Sequence, residues 1–155
     1  MKLVRLYLLS LFLLLTFSAC EKKDPEAMRK VHWDRDMCVR CKMVVSDRKH
    51  TLQVINPENG RSYMYDDIGC LVLWFYEEKI EWADRAKIWI TDTTTGEWID
   101  ARTAFYSGTN ITPMGYGFSA HKTKDTIKKG EEILDFTEVS KRIFVIEDKN
   151  NRKTY

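Results

Sequence analysis

Met37-Cys38-Val39-Arg40-Cys41-Lys42-Met43 places two thiols three residues apart with a thioether two residues beyond the second. Soft sulfur donors select Cu(I), Zn(II) or iron–sulfur clusters over hard ions such as Mg(II) and Ca(II). The chain holds 4 cysteines, so this stretch carries half of its thiols. Four chemistries are open to it. A structural zinc site would need Cys38, Cys41 and Cys70 plus one histidine. A thioredoxin-type redox pair would need a strand before it and a helix opening at it, because a helix N-terminus lowers the thiol pKa. Val44-Val45-Ser46-Asp47 follows instead, with no long helical pattern. A plain disulfide fits the spacing in a secreted protein. Cu(I) held by thiolate and thioether is the fourth, and Met43 beside Cys41 favours it.

Residues 1–19 read as a secretory signal, with Lys2 and Arg5 ahead of the apolar run Leu8 to Phe17 and small Ser18-Ala19 before the cut. Phe17-Ser18-Ala19-Cys20 resembles the bacterial lipobox, which implies a lipid on Cys20 and a membrane-anchored protein facing the periplasm, held at the outer membrane. Residues 20–30 are charged, carry Pro25 and read as a tether. With Cys20 set aside, three thiols remain, an odd number that cannot close as disulfides. Net charge is +2, from 25 basic and 23 acidic side chains interspersed along the chain, so no one-sign field points to nucleic acid. No nucleophile–base triad, phosphate loop or HExxH motif is present, and the chain does not read as an enzyme.

The elements that must position the sulfurs follow from periodicity. His50 to Ile55 and Arg61 to Tyr65 alternate around the turn Asn56 to Gly60, a hairpin. Asp66-Asp67 supplies a cap and an acidic first turn for a helix to about Lys79, whose Ile68, Leu71, Val72, Trp74 and Phe75 recur at helical spacing. Cys70 lies about one turn in, where a thiol is more often packing than ligand. Ala86 to Thr91 and Glu97 to Ala101 form a second hairpin. Short strands at Tyr116 to His121 and Glu132 to Phe136, a short helix at Thr123 to Lys129 and a closing helix Thr137 to Val145 capped by Thr137 complete the domain, with 146–155 as a frayed tail. Strand–strand–helix–strand order thus occurs twice, an α+β chain of two related small units, 31–95 and 96–145, within a domain 31–145. His32, His50 and His121 read as surface residues. By composition alone Met114 is a gap-filling core residue.

Four motifs in order carry a resemblance. Cys38-Val39-Arg40-Cys41-Lys42-Met43-Val44, Tyr65-Asp66-Asp67-Ile68-Gly69-Cys70, Trp98-Ile99-Asp100-Ala101 and Thr112-Pro113-Met114-Gly115-Tyr116-Gly117-Phe118 resemble the NosL family of lipid-anchored copper chaperones that serve nitrous oxide reductase. The resemblance implies a fold of two α+β units similar to organomercurial lyase, without that enzyme's chemistry. It also implies Cu(I) as cargo, and a cuproenzyme client or its membrane assembly machinery as partner. Met114 becomes a candidate ligand on a turn, beside Cys38, Cys41, Met43 and Cys70, with copper between the two units. Lys42 departs from the family's usual glycine, a residue that permits positive φ.

Overall fold

The computed structural model describes residues 27–153. The signal segment 1–19, Cys20 and the start of the tether lie outside the described residues. Among the described residues no helix is long and apolar enough to cross a membrane.

The first hairpin forms as its alternation predicts. β1 (Leu52–Ile55) pairs antiparallel with β2 (Ser62–Tyr65), Leu52 opposite Tyr65 and Ile55 opposite Ser62. The turn between them closes through Asn56, whose backbone carbonyl accepts from Gly60 and whose side chain accepts from the Glu58 N–H. β3 (Lys87–Thr91) flanks β1 on its other side, and β4 (Trp98–Asp100) pairs with β3, giving the order β2-β1-β3-β4. β5 (Phe105–Ser107) and β6 (Ser119–His121) form a separate two-stranded sheet. The architecture is α+β.

Helix α1 (Ile68–Glu77) starts where Asp67, in extended conformation, accepts the Gly69 N–H at 2.9 Å. It ends with Lys79 at φ 50°, where a left-handed residue lets the Ile80 and Lys79 N–H groups reach the Phe75 and Tyr76 carbonyls. Residues Ile68 through Trp74 are all buried, against β2 on one side and the closing helix on the other. Each large apolar side chain in that run contributes about 1.5–3 kcal/mol of burial. Trp74, Trp82, Tyr63, Tyr65 and Phe75 form a contiguous aromatic cluster, with centroids 5.3–6.1 Å apart.

The second half departs from its sequence reading. β4 belongs to the larger sheet rather than opening a second unit, because Ile99 continues the buried face of β3 opposite Ile90. The segment expected as a helix over 123–129 is one 3-10 turn, Lys124–Thr126, and the strand expected over 132–136 shrinks to a single bridge between Tyr106 and Leu134. The last helix, α2 (Phe136–Lys153), runs through the residues read as a tail. Asp135, not Thr137, caps it, accepting from the Glu138 N–H at 2.8 Å. Beyond Val145 it has little apolar period. The i,i+4 pair Asp148–Arg152 spans this charged end, as Glu138–Arg142 spans the start.

Candidate metal centre

Residues 36–45 fold back on themselves as a knuckle. Met37 bridges Val44, the Cys38 N–H donates to the Met43 carbonyl at 2.8 Å, and the Lys42 N–H donates to the Cys38 carbonyl at 3.1 Å. The Val39 N–H donates to the Met64 carbonyl at 2.9 Å, which fixes the knuckle to β2. Lys42 sits at φ 64°, the left-handed conformation that a glycine adopts without strain. A side chain there costs about 1–2 kcal/mol, and the loop keeps its shape regardless.

The knuckle delivers two sulfurs and the start of α1 delivers two more donors. Cys38 Sγ, Cys41 Sγ, Cys70 Sγ and a carboxylate oxygen of Asp66 all lie within 4.8 Å of one another. Thiolates bound to one ion at about 2.3 Å stand about 3.8–4 Å apart, so a small shift closes this set around a metal. Cys38 and Cys70 are fully buried and Asp66 nearly so. Cys41 is half-buried and all three cysteines are free thiols. Its thiol donates to Asp66 at 3.4 Å.

The protons in this cluster are shared unequally. Cys38 is pulled down to about 6, first by a hydrogen bond from the Cys70 thiol, against burial, then by the N–H groups of Cys41 and Asp66 and the Cys41 thiol. Cys41 is pushed up to about 12, first by burial, then by the negative charge of Cys38 and Asp66, with the Met43 N–H opposing. Cys70 is pushed up as the donor to Cys38 and by burial. At neutral pH the cluster is therefore one thiolate held between two thiols, a state in which the proton belongs to the group rather than to one residue.

The loop carrying Met114 is tied to the same corner. Asp67 Oδ2 accepts from the Thr112 hydroxyl at 2.6 Å and from the Met114 N–H at 3.1 Å. Burial raises the Asp67 pKa, and these donors together with the Gly69 N–H oppose it. Met114 is half-buried against the core, while Met43 is 48% exposed beside Cys41. Arg40, between the two knuckle cysteines, locks the flank: it forms a bidentate pair with Glu77 of α1 and a 3.1 Å bond to Glu147 of α2. Tyr116 donates to Glu147 at 2.7 Å, and its ring lies where a Gly69 side chain would be, 2.1 Å from an added Cβ.

The histidines stand apart from these donors. His50 spends both ring nitrogens on Asp47 and Ser119, each at 3.0 Å. His121, expected at the surface, is 5% exposed and bonded to Ser107 and Thr126, because β6 carries it into the space beside β5. His32 is exposed and faces Asp36. Asp66 is a ligand candidate whose sequence pattern points instead to a cap and an acidic first turn. Its spacing of four from Cys70 puts both at the same end of α1, which is the signal that was present.

The sequence matches no protein-family model and no curated protein. The fold does have a solved counterpart, the crystal structure of the copper chaperone NosL from Shewanella denitrificans, at TM-score 0.62 and 12% sequence identity, covering 74% of this chain and 96% of that one. The chain is NosL-like in fold. The NosL-like fold gathers the knuckle, the start of α1 and the 112–118 turn at one corner, and the three cysteines and Asp66 stand there as a set that could hold a metal.

Proposed function

We propose that this protein is a Cu(I) carrier, anchored through lipid on Cys20 at the periplasmic face of a bacterial outer membrane, that delivers copper to nitrous oxide reductase or a related cuproenzyme, directly or through its membrane assembly machinery. The observation that carries the reading is the set of three thiols within 4.8 Å, two sealed and one half-open. The NosL-like fold supports copper as the cargo, and the signal and Cys20 pattern support the anchor. Cys38, already a thiolate, is the first donor. Cargo binding then displaces the protons of Cys70 and Cys41, the latter onto Asp66 or water. Cys41 is the sulfur an acceptor's thiol can reach and replace, so the metal leaves stepwise from the open side while Cys38 and Cys70 hold it. Nothing in this sequence of steps makes or breaks a covalent bond in a substrate, and the role is carriage rather than catalysis.

Asp66 favours a second reading, a structural zinc site of three thiolates and one carboxylate, since Zn(II) accepts oxygen donors readily and Cu(I) does not. Titration of the reduced protein against a chromophoric Cu(I) chelator, with and without one equivalent of Zn(II), separates the two. The copper reading expects one Cu(I) per chain that displaces zinc. Zinc retained against excess Cu(I) contradicts it.

A further inference from the structure

Cys38 and Cys41 share one knuckle, closed by the Cys38 N–H on the Met43 carbonyl and the Lys42 N–H on the Cys38 carbonyl. Both are free thiols, and their sulfurs lie within 4.8 Å of each other. A disulfide needs its sulfurs about 2 Å apart, so less than about 3 Å separates this pair from a bond, a gap that side-chain rotation spans. Cys38 is fully buried and Cys41 half-buried, so an external reagent meets Cys41 first with Cys38 standing behind it. That is the order of an attacking thiol backed by a resolving one. Cys70, the third thiol, arrives from α1 and is also fully buried, so one sulfur stays reduced when the knuckle pair closes.

We propose that the empty centre closes as a Cys38–Cys41 disulfide by exchange with an external disulfide, and that this bridge and a bound metal exclude each other. The inference rests on the reading of Cys38, Cys41 and Cys70 as the metal centre and names its regulation. The Cys41 sulfur attacks one sulfur of the external disulfide, whose S–S bond breaks and releases the first thiolate. Asp66, which accepts from the Cys41 thiol at 3.4 Å, lies ready for the proton. The Cys38 sulfur then attacks the Cys41 sulfur, breaking the mixed disulfide and releasing the second thiolate. Two protons leave the protein thiols and end on the two released thiolates; the knuckle loses two electrons and the external disulfide gains them. Only a thiolate binds a soft ion, so the bridge removes two of the three sulfurs, and a metal already held by them leaves Cys41 no free sulfur for attack. A dithiol reopens the bridge at Cys41, its reachable end.

The test uses the natural full chain, reduced and metal-free, exposed to oxidised glutathione without oxygen and then digested. Trypsin cuts after Arg35, Arg40 and Lys42, so the bridge shows by mass as peptide 36–40 joined to peptide 41–42, with Cys70 alkylated on peptide 62–79. The bridged protein, assayed by chelator competition, should bind Cu(I) about 100-fold or more weakly, and dithiothreitol should restore it. Loading first with Cu(I) held 100-fold above its dissociation constant should slow bridge formation about 100-fold, since only the empty protein reacts. Cys70→Ala should still form the bridge. A glutathione adduct that stays on Cys41, a bridge that maps to Cys70, or bridging at the same rate in loaded and empty protein overturns this inference, while tight Cu(I) binding by the reduced chain leaves the centre standing. Undiminished Cu(I) binding by the bridged protein, or a reduced chain that retains neither Cu(I) nor Zn(II), overturns both the inference and the centre on which it rests.

Discussion

Cys70→Ala tests the cluster at its least legible member. Cys70 is the leading cause of the low Cys38 pKa, which stands at about 6 against the ordinary thiol value of 9.0. One factor of ten in acidity is 1.36 kcal/mol, so the pocket favours the Cys38 thiolate by about 4 kcal/mol in all. Removing the largest contributor while burial persists moves Cys38 back up toward the ordinary thiol range, so its thiolate fraction at neutral pH falls. The assay is ultraviolet thiolate absorbance against pH in the metal-free reduced protein, with alkylation rate as an independent readout. Cu(I) affinity should fall by about 100-fold or more, since one of three sulfurs is gone. The loss of packing from so small a side chain costs only about 1 kcal/mol. An unchanged titration midpoint near that of the natural chain would refute the shared-proton account.

Three further outcomes follow from particular contacts. Gly69→Ala drives a methyl into the Tyr116 ring, whose hydroxyl is held by Glu147, and should cost about 2–3 kcal/mol in urea unfolding. Arg40→Ala releases Glu77 and Glu147 from the knuckle, and should cost about 1–2 kcal/mol and speed amide exchange over residues 38–43. Burial lowers the His121 pKa from its ordinary 6.5, against the pull of Asp92 and Glu131. The folded protein thus holds this ring neutral, and its contribution is complete above pH 6.5 and lost as pH falls through the lowered value. Unfolding free energy measured between pH 5 and 7.5, a window named from that shift, should therefore decline toward the acid side. His121→Gln should flatten the slope.

What the sequence disclosed, and what it hid, divides along local and non-local lines. The β1–β2 hairpin, the Asp67 cap, α1 and the β3–β4 hairpin each carry their cause within a dozen residues, and each forms near the expected bounds. The knuckle was legible because Cys38 and Cys41 lie three apart, and Lys42 takes the left-handed conformation that a glycine would. Cys70 was ambiguous because a thiol on the buried side of an amphipathic helix has the same pattern whether it packs or binds. Asp66 was obscured by Asp67, whose capping of α1 leaves an acidic neighbour no separate signal. The second half was least legible, since the partner of Tyr106 is Leu134, a pairing that no local period encodes. The buried state of His121 depends on the β5–β6 pairing in the same way.

X-ray absorption on the Cu(I)-loaded protein addresses the central claim most directly, by counting sulfur against nitrogen and oxygen neighbours. Three sulfur neighbours and no nitrogen, falling to two sulfurs in Cys70→Ala, is the expected result. A first shell containing nitrogen, or one that Cys70→Ala leaves unchanged, contradicts copper held by Cys38, Cys41 and Cys70.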